Sequence, residues 1–188
     1  MPADPSATPT ALAERELLAR AQGGDVQAFD AVVRRHLTRA RVVAMRLMQN
    51  VEDADDLVQD AFLRALERIG SFDLERPFEP WFTRVLVNLG LDLLRKRAAR
   101  ATEPHDVEQV ADEATADTQA ERAELWQAFQ SALERLPARQ RLIVSLFEID
   151  GLGTGEVAER LGVSQVTVRW HLHQARRTLR EALKGWAE

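Results

Sequence analysis

The chain of 188 residues contains no cysteine. This absence excludes disulfide frameworks, thiolate nucleophiles and zinc or iron–sulfur sites with cysteine ligands, and it fits a reducing environment. No apolar run approaches the roughly 18 residues of a membrane-spanning helix, and the first residues lack the basic and apolar regions of a signal peptide. We therefore expect a cytoplasmic protein without membrane insertion.

The charge is mildly negative overall but unevenly distributed. The formal net charge is −5, with 25 Lys and Arg against 30 Asp and Glu. Residues 84–100 and 169–184 each carry five basic residues and one acidic residue, whereas residues 102–121 carry seven acidic residues and no Lys or Arg. Basic stripes of this kind indicate phosphate contacts or, as the alternative, solvated helix faces.

Apolar residues recur at helical spacing through most of the chain, and no segment alternates as a strand does. The pattern begins near Leu12, and Asp25 is a candidate N-cap for the helix that follows it. We predict an all-α fold with helices at about 25–48, 52–69, 80–100, 122–135 and 138–149, followed by two shorter helical segments.

Composition divides this all-α chain into two helical domains joined by a flexible linker. Residues 102–121 are acidic and have few large apolar side chains, so they cannot bury enough surface to fold alone. The first residues hold three prolines among small polar residues. We predict a disordered segment at 1–11, helical domains at 12–101 and 122–188, and an acidic linker at 102–121.

The end of the chain has the pattern of a helix–turn–helix. A short apolar face ends at Gly162, Ser164 can cap a second helix, and apolar residues then repeat at steps of three and four. A capped second helix can enter the DNA major groove with its first residues nearest the bases and its later arginines near phosphates. An ordinary helical hairpin with a polar face is the alternative.

We expect no catalytic residue, no metal ion and no cofactor. Gly151, Gly153 and Gly155 do not have the spacing of a dinucleotide-binding loop, and no strand–helix alternation follows them. The four histidines lack metal-ligand spacing, and no nucleophile–base pair or acidic dyad is evident. The chain is therefore not expected to be an enzyme.

Motifs in both predicted domains resemble those of the bacterial sigma-70 superfamily. In the first domain these are Gly-Asp at 24–25, the run DADDLVQDAFL at 53–63 and the Trp-Phe to Leu-Arg pattern at 81–95. In the second they are Leu-Pro at 136–137 and the helix–turn–helix from 155 to 176. Two domains on a short linker resemble the extracytoplasmic-function group, with region 2 first and region 4 second.

The resemblance implies a function and a set of partners. Such a protein binds core RNA polymerase at its clamp helices and flap and directs promoter-specific initiation, and an anti-sigma factor is expected to control it. The residues that match polymerase-binding positions are Asp56, Leu57, Gln59, Asp60 and Phe62. Those that match positions at the minus-ten element are Phe72, Trp81, Arg84, Asn88, Arg95 and Lys96. Those that match the minus-thirty-five positions are Ser164, Gln165, Thr167, Arg169, His171 and Arg176.

Several of these residues have a second interpretation. The acidic residues that begin the 52–69 helix also compensate the helix dipole, and Leu57, Phe62 and Trp81 are also candidates for the core. The pair Trp170-His171 departs from the family pattern of Ser-Arg, which leaves the promoter preference open. Two other functions stay open at this point: a stand-alone helix–turn–helix regulator that binds duplex DNA as a dimer, and a protein that sequesters a polymerase subunit.

Overall fold

The structure is a computed structural model and describes residues 9–100 and 117–184. Every regular element in these two ranges is helical, which confirms the predicted all-α fold with two helical domains. The chain divides into two compact units. The first holds the elements up to Gly90, and the second holds most of the described residues from Leu91 onward.

Eight α-helices are seen in the described ranges. The first four are α1 (Pro9–Gln22), α2 (Val26–Met48), α3 (Val51–Arg68) and α4 (Phe78–Arg100), and a 3-10 turn (Ile69–Ser71) follows α3 directly. The others are α5 (Asp117–Glu134), α6 (Ala138–Val144), α7 (Thr154–Leu161) and α8 (Gln165–Ala182), with a π-helical turn (Ser145–Ile149) after α6.

Side-chain caps define the starts of α2 and α3. The Asp25 carboxylate accepts the Ala28 N–H at 3.0 Å, which confirms the predicted N-cap. That hydrogen bond, aided by the Arg20 guanidinium, lowers the pKa of the Asp25 carboxyl. The cap of α3 was not predicted: Asn50 accepts the Asp53 N–H at 3.0 Å, directly after Gln49 ends α2 in the left-handed conformation.

The first unit is built on the packing of α2 against α3, with α1 on α2. The helix α4 approaches this pair closely at Gly90, where a Cβ atom would lie 2.9 Å from Leu57 Cδ2 and 3.2 Å from Leu47 Cδ1. Two α4 side chains, Leu86 and Val87, are almost fully buried beside this contact. A residue without a side chain is needed at position 90 because the leucines already fill the space.

In the second unit, α5 and α6 pack on α8. Val168, Leu172, Ala175 and Leu179 form the buried stripe of α8, which confirms the predicted apolar repeat. Arg141 is buried, and its guanidinium donates to the backbone carbonyls of Glu134 and Leu136 at the end of α5. Burial lowers the pKa of Arg141, and the negative charge of Glu134 opposes that effect.

Two boundaries differ from the sequence prediction. The helix α1 begins at Pro9 rather than near Leu12, because proline fits the first turn of a helix, where its missing N–H is not needed. The helix α5 begins at Asp117, within the predicted linker, because extending an existing helix into polar sequence costs little. The remaining linker residues, 102–116, and residues 1–8 of the predicted disordered segment lie outside the described residues.

None of the described helices is long and apolar enough to cross a membrane.

Candidate functional site

The predicted polymerase-binding residues on α3 divide into an exposed set and a buried set. Asp56, Gln59 and Asp60 are exposed. Leu57 is 0% exposed and Phe62 is 6% exposed, because the apolar stripe of α3 faces the core. The structure therefore brings the two carboxylates and the amide together on the surface, and it places Leu57 beneath them against Gly90 of α4.

An open apolar groove lies between α2 and α3 beside these residues. Its volume is about 450 Å³, and Gln59 and Phe62 belong to its lining. A bidentate ion pair joins Arg41 to Asp55 at its edge, with both nitrogen–oxygen distances at 2.8 Å. The rest of the lining is the Asp30 carboxylate and apolar side chains from both helices: Phe29, Val33, Leu37, Val58, Leu63 and Leu66. Sequence analysis did not identify this groove, since helical periodicity reports one helix at a time.

The predicted minus-ten residues Phe72 and Trp81 lie in one aromatic cluster. Their ring centroids are 4.9 Å apart, and the Phe78 ring lies 5.7 Å from Phe72 and 5.5 Å from Trp81. Phe72 and Phe78 are buried, whereas Trp81 is half-buried. Trp81 is therefore both part of the packing and accessible at the surface, so the two interpretations of this residue are compatible.

Between Phe72 and Phe78 the chain forms a short exposed loop, called here the 72–77 loop. Asp73 organises it: its side chain accepts the Glu75 N–H at 3.0 Å, and its backbone carbonyl accepts the Arg76 N–H at 3.0 Å. Apart from Phe72 at its start and the half-buried Leu74, its side chains are exposed. The loop is thus a defined turn that is held at both ends by buried phenylalanines.

The remaining minus-ten residues lie on α4. Steps of three and four residues put Trp81, Arg84 and Asn88 on one helix face, and Arg84 and Asn88 are exposed. Farther along the helix, Arg95 and Lys96 are exposed as well, and Arg95 forms an ion pair with Asp92. This helix therefore presents an aromatic ring, an amide and basic groups, which are the side chains that stack on bases and pair with phosphates.

The predicted minus-thirty-five residues begin at the N-terminus of α8. Ser164 caps the helix by accepting the Thr167 N–H at 3.1 Å, as predicted, and its hydroxyl contacts the Thr167 hydroxyl at 2.8 Å. Gln165 and Arg169 are exposed one turn apart, with 3.4 Å between the guanidinium and the amide oxygen. The turn before the cap uses Gly162 at φ +64°, a conformation that favours glycine.

His171 and Arg176 are less available than the sequence suggests. His171 is half-buried, and burial, helped by the positive charge of Arg139, lowers the pKa of the imidazole. The lowered pKa favours the neutral ring, which makes His171 a weaker cation toward phosphate than the sequence suggests. Arg176 pairs with Glu148 at 2.8 Å, and its guanidinium lies 5.4 Å from the centroid of the Phe147 ring.

Two large apolar residues lie on the open side of α8. Val166 is 73% exposed and Trp170 is 55% exposed, and the Trp170 ring packs edge-on against His171. Both lie on the face opposite the buried stripe, together with Arg169, His173 and Arg177. The helical repeat carries this signal, because a residue two positions from Val168 or Leu172 faces away from the core.

Within the described ranges, no group of three His, Asp or Glu side chains is arranged to hold a metal ion.

Two family models match the chain, the first in the N-terminal helical domain and the second in the C-terminal one. Residues 32–100 match the family model described as Sigma-70 region 2, and residues 126–179 match the one described as Sigma-70, region 4. The ECF RNA polymerase sigma factor SigM of Mycobacterium tuberculosis is 38% identical over 171 residues, which are 90% of this chain and 84% of that protein. The chain belongs to the extracytoplasmic-function group of the sigma-70 family.

Solved sigma-factor structures have the same fold. The structure of CnrH in complex with the cytosolic domain of CnrY has a TM-score of 0.61 at 30% identity, covering 92% of this chain and 98% of that one. The sigma factor RpoE in complex with the anti-sigma factor NepR from Bartonella quintana has a TM-score of 0.59 at 26% identity, covering 83% of this chain and 96% of that one. In this chain, the region 2 match covers most of α2 together with α3 and α4, and the region 4 match begins within α5 and ends within α8.

Proposed function

We propose that this chain is the initiation subunit that binds core RNA polymerase and directs it to promoters through a minus-ten and a minus-thirty-five element. The observation that carries this proposal is the separation of surfaces. An apolar groove edged by carboxylates lies on α2 and α3, and two other helices, α4 and α8, present basic and aromatic side chains. One surface suits a protein partner, and the other two suit DNA.

The polymerase is proposed to dock on α3 and the adjoining groove. A helical partner can lay an apolar stripe along Phe62 and Leu63 while its arginines meet Asp56 and Asp60. Exposed carboxylates that pair across an interface contribute more to orientation and association rate than to affinity, and the apolar groove supplies the buried area. Leu57 supports this surface from beneath, since its own side chain is fully buried.

The minus-ten element is proposed to bind as a separated strand along α4. Unstacking a base costs a few kcal/mol, and stacking on an aromatic side chain returns about 1–3 kcal/mol per base. Trp81 is half-exposed beside the 72–77 loop, and Arg84 and Asn88 continue the same helix face. Phe72 is proposed to act by holding the loop and Trp81, since its own ring is buried.

The minus-thirty-five element is proposed to bind as duplex DNA on α8. Gln165, Arg169 and the capped N-terminus face the bases, while Arg176 and Arg177 meet phosphates. His171 is proposed to contribute a hydrogen bond or a packing contact more than charge, because burial lowers the pKa of its ring. Fewer fixed charges than in a Ser-Arg relative give a shallower salt dependence.

The proposed setting and partners follow from the family. CnrH and the sigma factor RpoE were solved with CnrY and an anti-sigma factor respectively, so we propose that a protein inhibitor also controls this chain. The two helical domains at 12–101 and 122–188 are proposed to act in the cytoplasm, joined by the linker at 102–121. The chain is proposed to have no catalysis of its own, since polymerase performs the chemistry.

The test is run-off transcription with purified core polymerase on a genomic fragment library. We expect discrete start sites that depend on this chain. The double variant Asp56→Asn with Asp60→Asn removes both exposed carboxylates and is expected to weaken core binding by about tenfold, equivalent to about 1.4 kcal/mol. Glu16→Asn, at an exposed carboxylate on α1, is the control and is expected to bind as the original does.

Two results would overturn these assignments. Absence of specific initiation on any fragment would refute the proposed function. Equal core binding by the double variant and the control would show that the assignment of the docking surface to α3 is wrong. A stand-alone duplex-binding regulator is not favoured, and it would instead bind a two-fold symmetric operator tightly without polymerase.

A further inference from the structure

The helix α1 contacts the 72–77 loop directly at its start and in its middle, and it is linked to Phe78, just after the loop, only through His36 of α2. This helix precedes residues 32–100, which match region 2. The hydrogen bonds that the loop forms within itself centre on Asp73, and most of its side chains are exposed. Its shape therefore depends on what holds it from outside.

The first contact is made by Gln22, near the end of α1. Its amide nitrogen donates to the Ile69 carbonyl at 2.9 Å and to the Phe72 carbonyl at 2.7 Å, so both N–H groups of the amide are used. The Phe72 carbonyl is the point at which the chain leaves the 3-10 turn and enters the loop. One half-buried side chain thus bonds the first carbonyl of the 3-10 turn and the first carbonyl of the loop.

A second, direct contact lies in the middle of the loop, and an indirect link reaches Phe78 just after the loop. Arg15 forms an ion pair with Glu75 in the middle of the loop. Glu14 accepts a hydrogen bond from His36 at 2.7 Å, and the His36 ring lies 5.0 Å from the Phe78 ring at the end of the loop. The ion pair between Arg15 and Glu75 is exposed and contributes little to stability. Gln22, with two part-buried hydrogen bonds at normal distances, is therefore expected to contribute most to holding the loop.

We propose that Gln22 is a positioning residue that sets the conformation of the 72–77 loop and thereby the base preference at the minus-ten element. This inference rests on the proposed function, because it assigns the loop a role in reading that element. Gln22 itself touches no DNA. It acts through the Ile69 and Phe72 carbonyls, which fix the position of Phe72. Phe72 in turn packs against the half-exposed Trp81.

The test uses variants that keep or remove the donors. Gln22→Glu has the same shape but points carboxylate oxygens at two carbonyls, whereas Gln22→Lys keeps donor groups. Gln27→Glu places the same added charge on the exposed first turn of α2 and is the matched control. Should Gln22→Glu fail to fold, Gln22→Met removes the donors without adding charge, and the same comparisons apply.

Three measurements on the full chain separate the possible outcomes. For Gln22→Glu we expect amide exchange at residues 70–76 to accelerate about tenfold, because the two part-buried hydrogen bonds that hold this segment are lost. We expect discrimination among the four bases at one minus-ten position of a mapped promoter to fall about fivefold or more, with core binding unchanged within twofold. Gln22→Lys is expected to restore much of both, and Gln27→Glu to change neither.

Unchanged amide exchange in both Gln22→Glu and Gln22→Met would show that Gln22 does not hold the loop, and this would overturn the proposal. Faster exchange with unchanged base discrimination would overturn the positioning role. A parallel loss of core binding and of α3 protection would mean that Gln22 only stabilises the unit, which also overturns the proposal. If the unaltered chain directs no initiation, the proposed function is wrong. The exchange measurement still decides whether Gln22 holds the loop.

Discussion

The two helices that carry the predicted DNA contacts, α4 and α8, are positioned by different means. The helix α4 is fixed by long-range packing, in which Gly90 lies against Leu57 and the start of the helix joins an aromatic cluster. The helix α8 is fixed at its start by one local side chain, Ser164. The contacts in the first part of α4, up to Gly90, therefore depend on the core of the first unit, whereas those on α8 depend on a cap and a buried stripe.

The largest expected effect tests the long-range side of this comparison. Leu57→Ala removes a fully buried side chain that contacts Gly90, and a cavity of this kind costs about 2–5 kcal/mol in the free energy of unfolding. Hydrogen exchange resolved by helix, together with urea unfolding, measures the loss. We expect the amides of α3 and α4 to lose protection while those of α8 keep theirs.

The control for this change is Leu63→Ala on the same helix. Leu63 is 53% exposed, so the change is expected to cost less than about 0.5 kcal/mol. Equal destabilisation by the two variants would mean that burial of Leu57 does not hold α4 in place.

The second prediction tests the Ser164 cap that fixes the start of α8. Ser164→Ala removes the acceptor for the Thr167 N–H and is expected to cost about 1 kcal/mol, with weaker binding of duplex DNA and faster amide exchange in the first turn of α8. Thr178→Ala, at an exposed hydroxyl later in α8, is the control. Loss of protection in α4 as well would contradict the distinction between the two helices.

The third prediction sharpens the description of α8 by comparing two neighbouring arginines. Arg177→Ala is expected to reduce the slope of log binding constant against log salt by about 0.9, the value for one phosphate contact. Arg176→Ala is expected to reduce it less, because Glu148 already neutralises that guanidinium. The measurement is DNA binding over a range of salt concentrations, and equal slopes would show that the ion pair is irrelevant to binding.

The smallest expected effect is a pH dependence confined to the first unit. The hydrogen bond from His36 lowers the pKa of the Glu14 carboxyl, so the stability that it contributes is present above the unfolded pKa of about 4.5 and is lost as the pH falls through the lowered value. Glu14→Gln is expected to be less stable than the original at pH 7 and to approach it below pH 4. Urea unfolding over this range measures the difference.

Exposed Glu16→Gln is the control for the pH experiment and is expected to follow the original chain at every pH. A constant difference between Glu14→Gln and the original from pH 7 to pH 3 would mean that the carboxylate charge does not contribute.

The features that sequence predicted well are local ones. The caps at Asp25 and Ser164, the turn at Gly162 and the buried stripe of α8 each depend on a few neighbouring residues, so spacing and residue type were sufficient. The helix boundaries at Pro9 and Asp117 were missed because composition alone does not report where an amphipathic helix frays.

The features that sequence did not predict need two or more elements at once. The groove joins α2 to α3, and the Gly90 contact joins α4 to the same pair, so neither appears in the pattern of a single helix. The same limit applies to site residues. Periodicity placed Leu57 on the apolar face and the motif placed it among polymerase contacts, and only the packing shows that its surface is fully used inside the unit.

The anchoring of the 72–77 loop by Phe72 and Phe78 has a practical consequence for engineering. Both rings are buried, whereas Asp73, Arg76 and Pro77 between them are exposed. Short segments from other sources can therefore be grafted between the two phenylalanines without opening the core, provided that each graft spans the same distance. Under the proposed function, a library confined to the exposed positions Asp73, Arg76 and Pro77 is expected to change base preference at the minus-ten element with little effect on the buried core.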